Sequence, residues 1–187
     1  MNKKKILILG CSGGLGSEIK KLLKKKNYKL YLFSSKNLDF LKKNFKKKIT
    51  FILKDIDPDV IINSAGVFGN NSISFKKIFE VNVMPTWEII KYYLKKTPKN
   101  KKLIILVGST AYFGGRKNYI LYSASKAALH SIYLGAKENF SSKIINLKIL
   151  HPSKIKTKMI KNMKIDAKTK KPIFYARKIL KIINKNF

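Results

Sequence analysis

Three tyrosines in this chain are followed four residues later by a lysine: Tyr92/Lys96, Tyr122/Lys126 and Tyr133/Lys137. On a helix, residues four apart lie on one face, so the two side chains of each pair would project together. A phenol has a pKa of about 10, but a neighbouring ammonium favours the phenolate and lowers that pKa. A pair of this kind could supply a general acid or base at neutral pH.

The surroundings distinguish Tyr122/Lys126 from the other two pairs. With 9 tyrosines and 40 lysines among 187 residues, about two such pairs arise by chance. Only Tyr122 has small residues before its lysine and a serine, Ser109, 13 positions upstream, just after the apolar run 103–107. We therefore interpret Ser109, Tyr122 and Lys126 as a catalytic set, and the other pairs as faces of amphipathic helices.

Length and composition indicate one domain, 1–187, because 45% apolar residues suffice for a globular core. The formal charge of +33 comes from 40 lysines and only 2 arginines. Proteins that read nucleic acid favour arginine, whose planar fork binds bases and phosphates. A coding bias toward Lys, Asn and Ile explains the scattered lysines more simply, which argues against a nucleic-acid partner.

The single cysteine, Cys11, excludes a disulfide framework and fits a reducing cytosol. Lysines followed by an apolar run and Cys11 superficially resemble a lipoprotein signal, but the run 6–9 is too short for one. No stretch approaches the ~20 apolar residues of a membrane span. A soluble, cytoplasmic protein is expected, and no metal site is predicted.

The N-terminal pattern of strand, glycine turn and helix is typical of nucleotide binding. The buried strand 6–9 runs into a turn containing Gly10, Gly14 and Gly16, and a helical segment follows. Such glycines let the backbone approach a pyrophosphate, which then lies at the positive end of the helix.

The second strand, 29–33, ends at Ser34, Ser35 and Lys36, where enzymes that prefer NAD usually carry an acid. Hydroxyls and a cation suit the 2′-phosphate of NADP instead. Asp39 follows, but Leu38 and Phe40 would have to leave the core for it to face the ribose.

The remaining pattern predicts alternating helices and strands. A helix over 40–56 precedes the strand 60–62, and a helix over 75–96 is expected to kink at Pro85, beside Asn82. Strands 103–107 and 144–150 flank the Tyr122 helix, and a last helix covers 172–185. His151, next to Pro152, is interpreted as a loop residue without a catalytic role.

Together these motifs resemble the short-chain dehydrogenase/reductase family in type, order and approximate distance, from Ile6 to about Ile183. The matching elements are Gly10-x-x-x-Gly14-x-Gly16, Asn63-Ser64-Ala65-Gly66, Asn82, Ser109, Tyr122-x-x-x-Lys126 and Pro152-x-x-Ile155-x-Thr157. The chain departs from the family pattern with Leu9 in place of Thr, Ser64 in place of Asn and Ser153 in place of Gly, and none of these removes a catalytic group. The resemblance implies an α/β Rossmann-like fold with a doubly wound parallel sheet.

The resemblance also implies catalytic roles. Tyr122 would donate a proton to the substrate oxygen, and Ser109 would polarise the carbonyl. Lys126 would lower the Tyr122 pKa and hold the nicotinamide ribose, and Asn82 would position a relay water. The hydride would come from NADP(H), which is preferred over NAD(H).

Cofactor contacts are implied along the rest of the cleft. Gly14 and Leu15 would contact the pyrophosphate, Asp39 the adenine, Asn63 to Gly66 the adenosine side, and Ile155 and Thr157 the carboxamide. The complete predicted cofactor set is Gly10, Ser12, Gly13, Gly14, Leu15, Gly16, Ser34, Ser35, Lys36, Asp39, Asn63, Ser64, Ala65, Gly66, Tyr122, Lys126, Pro152, Ile155 and Thr157.

Only 30 residues follow Thr157, so the family's last strand is expected to be absent and the lid small. A partly apolar pocket of Phe113, Tyr119, Met159 and Met163 would suit a ketone or aldehyde. Family resemblance implies a dimer built from the 75–96 and Tyr122 helices. The alternatives are a catalytically silent NADP-binding sensor or scaffold, and a binder of anionic surfaces driven by the net charge.

Overall fold

The computed structural model describes residues 3–160 and 165–186. It contains five strands: β1 Lys4–Leu9, β2 Tyr28–Phe33, β3 Val60–Asn63, β4 Lys102–Val107 and β5 Ile145–Leu150. They form one parallel sheet in the order β2-β1-β3-β4-β5. All five strands were expected from their apolar runs, and the predicted doubly wound α/β fold is confirmed.

Helices cover both faces of the sheet. They are α1 Gly14–Lys24, α2 Phe45–Ile56, α3 Phe75–Asn82, α4 Met84–Lys95, α5 Ile120–Asn139 and α6 Pro172–Asn186, with short 3₁₀ turns at Thr110–Tyr112 and Lys158–Ile160. One core cluster joins the sheet to α2, α4 and α5, and the other joins it to α1 and α6. Within the described ranges no strand follows α6.

The central strands are buried on both sides, which explains their unbroken apolar sequences. In β1, Leu7 and Leu9 belong to the α2/α4/α5 core, whereas Ile6 and Ile8 belong to the α1/α6 core. Successive side chains of a strand point to opposite faces, so a strand covered on both faces needs an apolar residue at every position.

Two helices differ from their predictions. The helix predicted over 40–56 begins at Phe45, because Phe40 is already buried in the turn before it and packs edge-on against Phe45, with ring centroids 5.8 Å apart. The predicted 75–96 helix is two helices that meet at Val83 rather than one kinked helix. Pro85 lies in the first turn of α4, where its missing N–H costs no helical hydrogen bond.

The strand order reverses between β1 and β3, because the chain first adds β2 on one side of β1 and then crosses to the other side. In open α/β sheets, a crevice forms at this point beyond the carboxyl ends of the strands. The loops after β1, β2, β3, β4 and β5 all lie at that edge, so the topology gathers the predicted motifs. No helix in the described part of the chain is long and apolar enough to cross a membrane.

Candidate active site

A cleft of about 1170 Å³ lies at the carboxyl ends of the strands. Most of the predicted site residues line it: Gly10, Ser12, Gly13, Gly14, Leu15, Ser34, Ser35, Asp39, Ser64, Ala65, Gly66, Ser109, Tyr122, Lys126, Pro152, Ile155 and Thr157. Residues that are up to about 150 positions apart in sequence therefore share one cavity. Its volume exceeds the upper range of drug-sized pockets, which leaves room for a dinucleotide and a substrate.

The glycine turn after β1 can only be built from glycines at two of its positions. Gly10 has a φ of +77°, and a Cβ there would lie 2.6 Å from the Ala65 nitrogen. A Cβ on Gly16 would lie 2.1 Å from the Gly10 carbonyl oxygen. The close packing of the turn holds the start of α1 toward the cleft.

The N-terminal turn of α1 faces the segment that carries Thr157. A Cβ on Gly14 would lie 2.4 Å from the Thr157 side chain, so these two segments meet across the cleft. The first turn of α1 contains no acidic residue that would compete for its N–H groups. This arrangement fits a pyrophosphate bound at the helix start, beside the contact of Gly14 with Thr157.

At the end of β2, Ser34 and Ser35 line the cleft and Lys36 lies just beyond it. Asn37 fixes this turn, because its Oδ1 accepts the Ser34 N–H at 2.7 Å and its Nδ2 donates to the Leu32 carbonyl at 3.1 Å. The two serine hydroxyls are thus presented on an ordered turn.

Asp39 also lines the cleft, although Leu38 and Phe40 keep their places in the core, at 2% and 8% exposure. The Asp39 Oδ1 accepts the Leu41 N–H at 2.9 Å. Among the described residues of the cleft wall it is the one carboxylate. Its place, beyond the two serines, is compatible with the predicted contact on the adenine side.

Asn63, Asn82 and Gly16 support the cleft from behind rather than line it. Asn63 donates to Thr86 Oγ1 at 2.9 Å and accepts the Ala65 N–H at 3.2 Å. Asn82 binds both backbone groups of Val67, at 2.7 and 3.0 Å. Both amides therefore fix the loop that follows β3.

Asn82 also contacts α5, the helix that carries Tyr122. Its Nδ2 donates to Ser125 Oγ at 3.0 Å, and Ser125 Oγ donates to the Tyr122 carbonyl at 2.7 Å. Because both Asn82 amide hydrogens bind protein groups, the side chain ties the loop after β3 to α5. The relay water predicted at Asn82 stays a prediction.

Ser109 and Tyr122 lie beside each other in the cleft. Ser109 caps the 3₁₀ turn after β4, since its Oγ accepts the Ala111 N–H at 3.2 Å. Its side chain also hydrogen-bonds the Tyr122 phenol. The Phe68 ring packs on Tyr122 with centroids 4.8 Å apart and on Tyr119 at 4.5 Å, which holds the tyrosine on the cleft wall.

The start of α5 is fixed by Asn71, from the loop after β3. Its Oδ1 accepts the Ile120 N–H and its Nδ2 donates to the Lys117 carbonyl, both at 3.0 Å. The bond from Ile120 satisfies one of the free N–H groups of the first helical turn. Asn71 thus sets the position from which Tyr122 enters the cleft.

Lys126 lies one turn after Tyr122, buried at 4% exposure. Its Nζ is 5.7 Å from the centroid of the Tyr122 ring and 3.4 Å from the Val107 carbonyl oxygen. A Cβ on Gly66 would lie 3.7 Å from the same Nζ, so the loop after β3 approaches the ammonium closely. Burial lowers the pKa of Lys126 to about 8.

The pKa of Tyr122 differs from its prediction. Burial raises the pKa of this phenol, and the Ser109 hydrogen bond opposes the rise. Lys126 was expected to lower this pKa, but its ammonium, 5.7 Å from the ring centroid, does not offset the effect of burial. The phenol therefore stays protonated at neutral pH, which suits a proton donor.

Fewer of the residues predicted for an apolar substrate pocket line the cleft than of those predicted to contact the cofactor. Tyr119 and Met159 line the cleft as predicted, whereas Phe113 is 87% exposed and does not, and Met163 lies outside the described residues. Sequence reasoning missed Phe68, Arg116 and Lys117, which also line the cleft. Each of these residues lies close in sequence to glycines of its own loop, and that nearness is the signal that could have predicted a place in the cleft.

Comparison with protein-family models identifies the family of this chain. The short chain dehydrogenase model matches residues 41–168, more than half of the chain. The chain belongs to the short chain dehydrogenase family. The RmlD substrate binding domain model also matches, over residues 4–71. As a short chain dehydrogenase, the chain is an NAD(P)-dependent oxidoreductase.

Curated relatives of this short chain dehydrogenase include two reductases. It is 27% identical over 193 residues to the 3-oxoacyl-[acyl-carrier-protein] reductase FabG of Buchnera aphidicola subsp. Schizaphis graminum, covering 88% of this chain and 79% of the relative. It is 28% identical to the bifunctional ribulose 5-phosphate reductase/CDP-ribitol pyrophosphorylase Bcs1 of Haemophilus influenzae, covering 85% of this chain and 35% of that protein.

Solved structures share the fold. A short chain dehydrogenase from Burkholderia cenocepacia in complex with NADP matches with a TM-score of 0.84 at 17% identity, covering 98% of this chain and 85% of that one. ElxO with NADP bound matches with a TM-score of 0.76 at 21% identity, covering 95% and 90%.

Proposed function

We propose that this short chain dehydrogenase is an NADPH-dependent carbonyl reductase that acts on a ketone or aldehyde. The observation that carries the proposal is that Ser109, Tyr122 and Lys126 line the same cleft as the glycine turn. The nicotinamide, when bound, supplies the hydride. The protein's own residues bind, polarise and protonate the substrate.

In the proposed reaction the substrate oxygen lies between Ser109 and Tyr122. The Ser109 hydroxyl, whose oxygen already accepts from Ala111, donates its hydrogen to that oxygen and stabilises the charge that develops there. Tyr122 then transfers its phenolic proton to the same oxygen, giving the alcohol. The raised pKa keeps Tyr122 protonated beforehand, and the nearby Lys126 ammonium stabilises the phenolate that remains.

The preference for NADPH is supported by the end of β2. Ser34 and Ser35 line the cleft on a turn that Asn37 orders, and Lys36 adds a positive charge beside them. A 2′-phosphate carries nearly two negative charges and gains from hydroxyl donors and a cation. The structural neighbours that hold NADP agree with this choice.

The substrate class is supported by the apolar part of the cleft. Phe68 and Tyr119 pack beside Tyr122, and Met159 lines the same cavity. Such a lining suits the carbon skeleton of a ketone or aldehyde next to one polar carbonyl. The FabG relative, named for a 3-oxoacyl substrate, makes a 3-oxoacyl thioester one candidate among these.

We further propose that the enzyme is a cytoplasmic dimer. Trp87 and Leu94 lie seven residues apart on α4 and are 38% and 46% exposed, and Leu134 on α5 is 47% exposed. Pairing α4 and α5 with the same helices of a second copy would remove this apolar surface from water. The lone buried Cys11 fits a reducing compartment.

An assay of NADPH oxidation with a panel of ketones, aldehydes and a 3-oxoacyl thioester tests the proposed function. Turnover of at least one compound is expected, and Ser109→Ala should slow it. Binding of NADPH without turnover of any panel member would instead support a silent NADP-binding sensor or scaffold. Binding of an anionic surface that weakens steeply with salt, without NADPH binding, would support the third alternative.

A further inference from the structure

The chain has two histidines, and they contact each other directly behind Ser109. His130 lies on α5, one turn after Lys126, and His151 follows β5. The His151 Nε2 and His130 Nδ1 are 3.1 Å apart, and the His151 Nδ1 is 3.2 Å from the Ser109 carbonyl oxygen. The two imidazoles thus form a chain of hydrogen bonds from the helix of Tyr122 to the backbone of Ser109.

The chemistry of the groups fixes the direction of the bond to Ser109, and with it the direction of the second bond when His151 is neutral. A carbonyl oxygen can only accept, so the His151 Nδ1 carries a hydrogen and donates it to Ser109. In neutral imidazole the other nitrogen is then an acceptor, so His130 donates from its Nδ1 to the His151 Nε2. With His151 neutral, the hydrogen of that ring lies on Nδ1, and the hydrogen between the two rings comes from the His130 Nδ1.

The space around His151 is shaped to hold this ring. The Tyr112 ring packs on both imidazoles, with centroids 4.2 Å from His130 and 4.1 Å from His151. A Cβ on Gly108 would lie 2.5 Å from the His151 Nδ1, so only glycine at 108 lets the imidazole reach the backbone. The ring is therefore held from two sides.

His151 also falls within a series of bonds that joins the ends of β4 and β5. Gly108 donates its N–H to the Leu150 carbonyl at 2.8 Å, and Thr110 donates to the Pro152 carbonyl at 2.9 Å. Between these two bonds, the His151 side chain supplies the donor for the Ser109 carbonyl. Pro152 has no N–H with which to continue the strand pairing.

We propose that His151 is a positioning residue that sets the distance between Ser109 and Tyr122, and that His130 orients it. This inference rests on the proposed reductase function, because it concerns the geometry of that site. Without the histidine chain, the Ser109 carbonyl would lose its hydrogen-bonded link to α5.

The charged and titratable groups around His151 favour its neutral form. His151 faces His130 and Lys126 on α5 and Tyr112 on the 3₁₀ turn. Burial, together with His130 and Lys126, lowers the pKa of His151, and its bond to Ser109 opposes this. A second proton on His151 would lie at Nε2, directly facing the hydrogen on His130 Nδ1. These effects favour the neutral form of His151.

The kinetic test compares His151→Leu with His151→Asn. The Asn side-chain nitrogen occupies nearly the place of the histidine Nδ1 and can still donate to Ser109, whereas Leu cannot. We expect His151→Leu to lower kcat by about 10-fold or more, and His151→Asn to stay within about 3-fold of the natural protein. The Kd for NADPH should be unchanged in both. Equal losses in the two variants, or a loss confined to KM, would overturn the proposal.

A spectroscopic test does not depend on turnover, so it separates this proposal from the proposed function. Nitrogen-15 NMR of the imidazoles in the natural protein at neutral pH should show His151 with its hydrogen on Nδ1, the less common form of free histidine. Comparison with His130→Asn, which keeps a donor at the Nδ1 position, assigns the signals. A hydrogen on the His151 Nε2 would overturn the proposal even if the enzyme reduces ketones.

Discussion

Lys126 Nζ lies 5.7 Å from the centroid of the Tyr122 ring, almost the same distance as that between Lys96 Nζ and the Tyr92 ring, 5.9 Å. The two pairs have the same sequence spacing but different surroundings. Lys126 is buried beside the cleft, whereas Lys96 is exposed. Burial, not spacing, gives the Tyr122 pair its unusual pKa values and its place in the proposed reaction.

Replacing Lys126 with methionine should stabilise the cofactor-free protein. Burial lowers the lysine pKa from 10.5 to about 8, so the folded state carries an ammonium at a cost on the order of 3 kcal/mol or less at neutral pH. Methionine fills a similar volume without a charge. Denaturant unfolding of Lys126→Met at pH 7 should show a higher free energy of unfolding than the natural protein.

The size of this stabilisation depends on pH in a defined way. Below pH 8 both the folded and the unfolded lysine are charged and the full cost applies, and the cost disappears as pH rises from about 8 toward 10.5. The advantage of Lys126→Met should therefore shrink over that range. A Lys126→Met variant that is less stable than the natural protein at pH 7 would show that the ammonium has a stabilising partner.

The affinity for NADPH should fall as pH rises through about 8. The cofactor is anionic, and loss of the Lys126 charge removes a favourable interaction worth roughly 3- to 10-fold in Kd. Fluorescence titration of NADPH between about pH 6.5 and 9.5 measures this. Lys126→Met is the control, because it should bind weakly at every pH without the same slope. Identical slopes in the two proteins would assign the pH dependence to another group.

Much of the fold and of the cofactor side could be predicted from sequence because both depend on local chemistry. The run Ile6 to Leu9 predicts a strand buried on both faces, and Gly10 and Gly16 are required by a turn that no larger residue fits. The predicted start of α2 was wrong. Phe40 fits the helical spacing of apolar residues, but it packs against Phe45 from the turn before the helix. Periodicity cannot distinguish a buried turn from a first helical turn.

The choice of NADPH over NADH should be reversible at the end of β2. Ser35→Asp places a carboxylate where the 2′-phosphate is expected, and Lys36→Glu places one beside it. Each charge-assisted bond is worth ~1.5 to 3 kcal/mol, so each change should lower the NADPH/NADH affinity ratio by roughly 10-fold or more. Dissociation constants for both cofactors at one salt concentration give the ratio.

The matched control for Lys36→Glu is Lys29→Glu. It makes the same charge change near the amino end of β2, away from the cleft. It should leave the ratio within about 2-fold of the natural protein, since exposed charges beyond the Debye length are screened. Equal affinity of the natural protein for the two cofactors, or a Lys36→Glu variant whose NADPH/NADH affinity ratio is unchanged, would show that this strand end does not read the phosphate.

The proposed dimer should be visible in solution. Sedimentation at micromolar concentration is expected to give a mass of about twice the 21.5 kDa of the chain. Trp87→Glu should shift the protein toward the monomer, because it places a charge on the exposed face of α4. Phe51→Glu on α2 is the control, since Phe51 is 66% exposed on another surface. A strict monomer in the natural protein would contradict the proposal.

The substrate side and the histidine pair could not be predicted from sequence, because they depend on contacts between distant segments. His130 and His151 are 21 positions apart, and each lies in an unremarkable local context. His151 was interpreted as a loop residue since nothing local shows that Ser109 lies against it. Likewise, Phe113 follows Ser109 closely in sequence but points away from the cleft.

The most direct test of the central claim is the rate of NADPH oxidation by Tyr122→Phe with the best carbonyl of the panel. The substitution keeps the ring, its packing on Phe68 and the cofactor site, and removes only the proton donor. We expect a fall in kcat of about 10² to 10⁴-fold with an unchanged Kd for NADPH, and near-natural rates in Tyr92→Phe and Tyr133→Phe. A Tyr122→Phe variant that keeps more than about a tenth of the natural rate would contradict the assignment of Tyr122 as the catalytic acid.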